Sequence, residues 1–165
     1  MRVPYRKPGQ YNYAKKDPLI TADKFEQLKK KLGRLKRNQP GAAAEVSRLA
    51  QLGDFSENVE YQLAKGRLRR INQEIQILEN QIYQAKIIQS ANTGKIEMGS
   101  TVTVLINNEH KKYTILGSEE TDPSRGIISH HSPIGEVLLG KKVGEVVEVN
   151  VGGKEVKYKI IDIGY

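Results

Sequence analysis

The sequence predicts an α+β fold in which a long antiparallel helical hairpin precedes a small antiparallel-sheet domain with one short helix. Heptad-spaced apolar residues recur over residues 21–91, which is typical of paired helices. Between residues 99 and 165, apolar and polar residues alternate in short stretches bounded by turn residues, which is typical of strands. The 165 residues include no cysteine, so disulfides, thiolate metal sites and cysteine nucleophiles are excluded.

Residues 1–20 show no apolar periodicity. They hold three prolines, three tyrosines, five basic residues and one acidic residue. This composition predicts a flexible basic arm, since it offers little to bury. Thr21 then supplies a helix N-cap, and Asp23 suits the positive first turn, so the first helix is predicted to begin here.

The first predicted helix carries an apolar seam with heptad spacing. Pro40 and Gly41 interrupt this seam, but its phase resumes after them, which predicts a kink rather than a helix end. The seam consists of Phe25, Leu28, Leu32, Leu35, Ala42, Val46 and Leu49.

The second predicted helix begins after Gly53 and ends near Ala91, before the polar exit loop Asn92–Gly94. The turn Gly53–Ser56 is short, and two helices joined by so short a turn must run antiparallel. About 30 residues per helix give a rod of roughly 45–50 Å. The second seam consists of Tyr61, Ala64, Leu68, Ile71, Ile75, Leu78, Ile82 and Ala85.

The C-terminal half is predicted to form an antiparallel sheet. The strand-like segments are Thr101–Ile106, Lys112–Leu116, Val143–Val151 and Val156–Ile163, and Ile127–Ser129 is a short apolar run. Ser132 and Pro133 are typical of an N-cap and a first helical position, so they predict a short helix Ile134–Leu139. The predicted organisation is therefore an arm at 1–20, a hairpin at 21–91 with an acidic tip at 53–60, a linker at 92–98 and a sheet domain at 99–165.

The net charge of +8 is unevenly distributed along the chain. It amounts to +4 over residues 1–20, +5 over residues 21–91 and −1 over residues 92–165. A basic hairpin favours polyanionic partners, although a solvated helix surface has the same composition. No run of 18 apolar residues and no apolar leader is present, so we expect a cytoplasmic protein with no membrane partner.

One acidic segment interrupts the basic hairpin. From Leu49 to Ala64 there is no Lys or Arg, yet Asp54, Glu57 and Glu60 lie there. The spacing of Asp54 and Glu57 matches a capping box, and the same spacing offers two oxygen ligands to Mg²⁺. Because a two-helix rod lacks a pocket with further ligands, such a metal would be shared with another macromolecule.

Two segments carry a resemblance to a known family. The sequence LGDFSENVEY, from Leu52 to Tyr61, resembles the tip signature of the Gre transcript-cleavage factors of bacterial RNA polymerase. The next residues resemble the GreB branch more than the GreA branch, namely Gln62, Lys65, Arg67, Leu68, Arg69 and Ile71. The family's second signature is similar to Ser132-Pro133-Ile134 with Leu138, Gly140, Lys141, Val143 and Gly144. The resemblance covers residues 19–165.

The resemblance implies an accessory factor rather than an enzyme. Its coiled coil would enter the secondary channel of RNA polymerase, where Asp54 and Glu57 help hold a catalytic Mg²⁺, with Glu60 a weaker candidate. The polymerase would then cleave backtracked RNA by two-metal hydrolysis and leave the arrested state. The free protein would be a monomer without stably bound Mg²⁺.

The resemblance also implies contacts outside the tip. The C-terminal domain would have an FKBP-like fold and dock on the polymerase through Ser132, Pro133 and Ile134. The tip-proximal basic residues would contact the 3′ segment of the nascent RNA, namely Arg48, Lys65, Arg67, Arg69 and Arg70.

Three features depart from the family pattern. Phe55 occupies a tip position that is often polar, and Gly66 in mid-helix costs up to about 1 kcal/mol relative to Ala. Two adjacent histidines, His130 and His131, precede the docking signature. With His110 they are the chain's three histidines, which leaves little material for a histidine-based metal or catalytic site.

Three alternatives stay open at the level of the sequence. The first is a channel-binding regulator of the same shape that inhibits polymerase without promoting cleavage. The second is a prolyl isomerase, but residues 99–165 contain no Trp or Phe and only three Tyr, which is poor material for a proline pocket. The third is a nonspecific nucleic-acid-binding protein, which the net charge would suit.

Overall fold

A computed structural model describes residues 17–51, 59–89, 93–151 and 153–164. It confirms the α+β fold: two long helices form a hairpin, and a five-stranded sheet with one short helix forms the second domain. The helices are α1 (Ala22–Ala50), α2 (Val59–Gln84) and α3 (Pro133–Leu138). The strands are β1 (Leu19–Ile20), β2 (Lys86–Ile87), β3 (Thr101–Ile106), β4 (Glu109–Leu116), β5 (Ile127–Ser129), β6 (Val146–Val151) and β7 (Lys154–Gly164).

Helix α1 begins as the sequence predicts. The Thr21 side chain accepts a hydrogen bond from the amide of Lys24 at 3.2 Å, and Asp23 lies in the first turn. The helix continues through Pro40 as one element of 29 residues, as the preserved phase of the seam indicates. At 1.5 Å per residue its length is about 43 Å.

The two long helices run antiparallel with their apolar seams facing each other. At the hairpin base (the start of α1 and the end of α2), the amide of Lys86 donates to the carbonyl of Pro18 at 2.7 Å. Leu49, Ile75 and Leu78 are buried, with exposed fractions of 3%, 7% and 3%. The other predicted seam residues are half-buried, which confirms the heptad assignment.

Helix α2 ends at Gln84, so the prediction of an end near Ala91 is wrong. Lys86–Ile87 instead forms β2, which pairs in parallel with β1. The amide of Ile88 donates to the carbonyl of Ile20 at 2.9 Å, so strand hydrogen bonds replace helical ones. The β-branched residues Ile87 and Ile88 favour this change.

The strands of the second domain have the spatial order β5-β4-β3-β7-β6. Strands β3 and β4 are joined by Asn107 and Asn108, whose φ angles are 47° and 71°. Positive φ at both central residues is typical of a two-residue type I′ hairpin, which asparagine tolerates. Because the turn takes only two residues, β4 begins at Glu109 rather than at the predicted Lys112.

The sheet is mostly antiparallel, which confirms the predicted antiparallel sheet, and its one parallel pair within the described residues is β4–β5. Strand β5 pairs with β4 in parallel. The connection between them contains two short 3₁₀ helices, and it returns the chain to Thr114 so that β5 runs in the same direction as β4. The core lies between the sheet and α3, where Leu138 is fully buried. The other core residues are Ile96, Val102, Val104, Ile106, Ile115, Ile128, Val147, Val149, Tyr158 and Ile160.

A small set of charged hydrogen bonds fastens the hairpin base to the sheet domain. The Glu120 carboxylate accepts from the amide and the hydroxyl of Thr21 at 2.7 and 2.6 Å. The Asp17 carboxylate accepts from the amide of Ser118 at 2.9 Å. We call these contacts the junction. Residues 17–20, which the sequence placed in the flexible arm, are therefore held against both domains.

Candidate functional site

The predicted tip falls largely outside the described residues. Asp54, Phe55 and Glu57 lie there, and their predicted roles stay predictions. Glu60 is described and lies exposed in the first turn of α2. The pKa of Arg48 is raised chiefly by its hydrogen bond to Glu45, and the charge of Glu60 makes a smaller contribution.

The five predicted RNA-contact residues are all exposed, but they do not form one surface. Successive helical residues are rotated by about 100°, so Arg67 and Arg70 lie on one side of the α2 seam. The same rotation places Lys65 and Arg69 on the other side. Arg48, on α1, lies on the side of Arg67, because Glu45 interacts with both of these arginines.

The side with Arg48, Arg67 and Arg70, the paired flank, is partly neutralised by acidic residues. The Glu45 carboxylate accepts from Arg48 Nε and Nη2 at 3.0 and 2.9 Å, and this hydrogen bonding lowers the pKa of Glu45. Glu74 lines a shallow groove together with Arg67 and Arg70. Basic and acidic groups therefore alternate along this flank.

The side with Lys65 and Arg69, the basic flank, has a different composition. Lys65 Nζ lies 5.7 Å from the centroid of the Tyr61 ring, within cation–π range. The α1 positions that helix geometry brings to this side near the tip are Ala43 and Ser47 rather than acidic residues. A polyanion would therefore meet less competing negative charge here than on the paired flank.

The predicted docking signature lies at the start of α3. Ser132 Oγ accepts from the amide of Gly135 at 3.0 Å and lies 2.6 Å from the carbonyl of Ser129, to which it donates. Ile134 packs against the core, whereas Pro133 is exposed. Ser132 and Ile134 thus shape this loop, and Pro133 is the member of the signature that offers its side chain to a partner.

Sequence reasoning missed a contact between Asp17 and the histidines before this loop. Asp17 Oδ2 lies 3.4 Å from His130 Nδ1, and the His130 and His131 rings lie 3.8 Å apart between centroids. Burial by itself raises the pKa of Asp17, but the amides of Ser118 and Leu19 donate to its carboxylate and bring the pKa below its ordinary value. The two adjacent histidines were visible in the sequence, but the sequence did not indicate that Asp17 lies next to them.

Comparison with known proteins decides the family. Residues 18–87 match the family described as transcription elongation factor, N-terminal. Residues 91–165 match the family described as transcription elongation factor, GreA/GreB, C-term. The chain is 37% identical over 155 residues to transcription elongation factor GreA of Nautilia profundicola, which covers 91% of this chain and 95% of that protein.

The chain belongs to the GreA/GreB family of transcription elongation factors. A second relative, GreA of Thermosipho melanesiensis, is 39% identical over 147 residues, with 87% of this chain and 94% of that protein covered. The family resemblance of the two signatures is thus confirmed. The closer resemblance to the GreB branch is not confirmed, since these relatives are named GreA.

Solved structures of similar proteins include GreA factor homolog 1 of Thermus thermophilus, at 23% identity and a TM-score of 0.42. That match covers 90% of this chain and 99% of the other. A GreA/GreB factor from Nitrosomonas europaea matches at 20% identity and a TM-score of 0.41, covering 89% and 98%. The family assignment rests on the sequence matches alone. Within the described ranges, no helix combines the length and apolarity that a bilayer span requires.

Proposed function

We propose that this Gre-family chain binds bacterial RNA polymerase, inserts its hairpin into the secondary channel and stimulates the polymerase's own Mg²⁺-dependent cleavage of backtracked RNA. It would act as a monomeric accessory factor in the cytoplasm and so rescue arrested complexes. The observation that carries the proposal is a thin helical rod with a basic surface, attached at its base to a separate sheet domain. Family membership supports the same role.

The dimensions of the hairpin suit a channel. Helix α1 is about 43 Å long, and two packed helices of about 10–12 Å diameter make a rod only some 20 Å wide. Within the described residues, the hydrogen bonds of the junction hold the rod to the sheet domain at its base. The sheet domain can therefore remain at the channel rim, with Pro133 exposed, while the tip reaches inside.

The tip sequence supplies oxygen ligands of the kind that Mg²⁺ prefers. Asp54 and Glu57 would hold this shared ion, which when bound supplies a Lewis acid and an activated water. Glu60 contributes less in this proposal, because an acidic residue in the first turn of α2 is already accounted for by the helix dipole. The carboxylates of the free chain would not retain Mg²⁺, since two acidic side chains leave most of its coordination to water.

The basic flank is the part of the hairpin that we assign to the nascent RNA. Lys65 and Arg69 are exposed beside Tyr61, whose ring suits stacking against a base. Arg48, Arg67 and Arg70 are interleaved with Glu45 and Glu74, which would repel phosphates. We therefore expect the paired flank to be oriented toward protein and the basic flank toward the RNA 3′ segment.

Site-specific crosslinking tests the insertion. Because the chain has no cysteine, one substitution creates a unique attachment point for a photoactivatable crosslinker. Val59→Cys places it beside the tip, where the native side chain is 68% exposed. Tyr83→Cys is the matched control near the base of the same helix, where the side chain is 89% exposed.

Insertion predicts that Val59→Cys labels the RNA 3′ segment and the surroundings of the polymerase active centre in a backtracked complex. Tyr83→Cys should label only the outer surface of the polymerase. Equal labelling of the channel interior from both positions, or labelling of the outer surface alone from Val59→Cys, would refute insertion.

An inhibitory regulator of the same shape would give the same crosslinks without promoting cleavage. Retention of both Asp54 and Glu57 favours the cleavage factor, because metal binding needs the two carboxylates together. The assignment to the GreB branch stays a prediction. This prediction can be tested by measuring the length of the RNA fragments that the polymerase releases in the presence of this factor.

A further inference from the structure

The cluster formed by Asp17, His130 and His131 lies at the junction, far from the hairpin tip. One possible ligand atom from each of the three residues lies within 4.8 Å of the others. We propose that these three side chains form a binding site for a divalent transition-metal ion of the zinc class. The proposal does not depend on the role of the tip in RNA cleavage.

The first observation is a buried nitrogen that makes no hydrogen bond within the described part of the chain. This atom is His130 Nδ1, and the His130 side chain is only 13% exposed. A buried polar atom without a partner costs free energy. A metal ion is the kind of partner that an imidazole nitrogen facing a carboxylate would accept.

The second observation is the spacing of the ligand atoms. His130 Nδ1 and Asp17 Oδ2 are 3.4 Å apart. Bonds of 2.0–2.1 Å to a tetrahedral zinc ion put neighbouring ligand atoms about 3.3 Å apart. Two of the three ligands therefore already have the separation that the metal requires. The exposed His131 ring must approach by about 1.5 Å, which a side-chain rotation provides.

The third observation is the support around Asp17. Its Oδ1 accepts from the amide of Leu19 at 3.1 Å, and its Oδ2 accepts from the amide of Ser118 at 2.9 Å. Ser118 Oγ lies 3.2 Å from Oδ2, to which it donates, and 2.9 Å from Ser129 Oγ; if it donates to Ser129 instead, a lone pair of Oδ2 is left for a metal. Hydrogen bonds that fix a ligating carboxylate in this way strengthen metal sites.

An open route leads to the cluster. Asp17 and His131 line a cleft of about 890 Å³ between the hairpin base and the sheet domain. This cleft can admit the ion and supply the water that completes four-coordination. One carboxylate and two imidazoles are ligands that favour Zn²⁺ and related ions over Mg²⁺.

The position of the cluster suggests what a bound ion would do. Asp17 precedes β1 at the hairpin base, whereas His130 and His131 precede α3 and the predicted docking loop. A metal held by all three would tie that loop to the hairpin base. It would therefore stabilise the junction, in addition to the hydrogen bonds of Thr21 with Glu120.

The test is calorimetric titration of the full-length, untagged, metal-free chain with Zn²⁺ in excess Mg²⁺. We expect one Zn²⁺ per chain, at least tenfold weaker binding in His131→Ala and in Asp17→Asn, and unchanged binding in the control His110→Ala. His131 and His110 are both exposed, so neither alanine should disturb folding. Asparagine at position 17 retains an acceptor for the amide of Ser118.

Spectroscopy gives a second readout of the same site. Co²⁺ in place of Zn²⁺ should show the intense ligand-field absorption of a four-coordinate ion, and His131→Ala should abolish it. The imidazole ¹⁵N resonances of His130 and His131 should shift together on zinc addition. No saturable binding, or equal binding by wild type and His131→Ala, would overturn the proposal. Equal weakening in His110→Ala would also overturn it.

Discussion

The substitution Gly117→Ala should loosen the junction. A Cβ atom at Gly117 would lie 1.8 Å from the carbonyl oxygen of Leu19. Real Cβ contacts essentially never fall below 3.0 Å, so one of the two backbones must move by at least 1.2 Å, the difference between these distances. A shift of that size would lengthen the 2.9 Å bond between the Ser118 amide and Asp17 beyond hydrogen-bond range.

The magnitude follows from the bonds at risk. A hydrogen bond to a charged group contributes about 1.5–3 kcal/mol, and the bonds from Thr21 to Glu120 would be strained as well. We expect a loss of about 2–3 kcal/mol, because solvent partly replaces these half-exposed bonds. Urea denaturation measures this loss, and hydrogen exchange should show faster exchange of the Thr21 and Ser118 amides.

The matched control for this prediction is Gly66→Ala. A Cβ at Gly66 meets no atom within 4 Å, so alanine should stabilise α2 by up to about 1 kcal/mol. The account of the junction would be refuted if the free energy of unfolding of Gly117→Ala lay within about 0.5 kcal/mol of the wild-type value and the Thr21 and Ser118 amides exchanged at unchanged rates.

Three further predictions concern the core, the RNA contact and a surface carboxyl. Leu138→Ala should destabilise the sheet domain by about 2–5 kcal/mol in urea denaturation, because Leu138 is fully buried; an effect as small as that of the exposed Val146→Ala would contradict this. Lys65→Ala with Arg69→Ala should reduce RNA crosslinking and its salt dependence more than Arg67→Ala with Arg70→Ala does; equal losses would show that the two flanks act alike. The Ser124 hydroxyl and amide hold the pKa of Asp122 below its ordinary value, so the associated stability is present above the unfolded-state pKa and is lost as the pH falls through the folded one. Ser124→Ala should raise this pKa in a carboxyl NMR titration, and an unchanged value would rule out the hydrogen bond as the cause.

Local periodicity accounts for most of what the sequence predicts correctly. The heptad seams depend only on spacing along each helix, and the buried positions Leu49, Ile75 and Leu78 follow from them. The start of α1 at Thr21 and of α3 after Ser132 depend on side chains that bond within three residues.

The features that the sequence could not predict depend on distant partners. Helix α2 stops at Gln84 because β1 pairs with the residues that follow it. The parallel pairing of β5 follows from the path of a connection with its own 3₁₀ helices. Asp17 lies near His130 because the junction brings together two segments that are far apart in the sequence. Neither propensity nor spacing encodes such contacts.

RNA cleavage in a purified, backtracked polymerase complex with Mg²⁺ tests the central claim most directly. Wild type is compared with Asp54→Asn and Glu57→Gln, which keep the capping potential of the helix but weaken metal binding. Glu26→Gln is the control, because this acidic residue lies exposed near the hairpin base and pairs with Lys29. We predict that wild type and Glu26→Gln stimulate cleavage, whereas the two tip variants fold, bind polymerase and fail to stimulate. Wild type that binds polymerase without promoting cleavage would contradict the claim and identify a channel-occupying regulator.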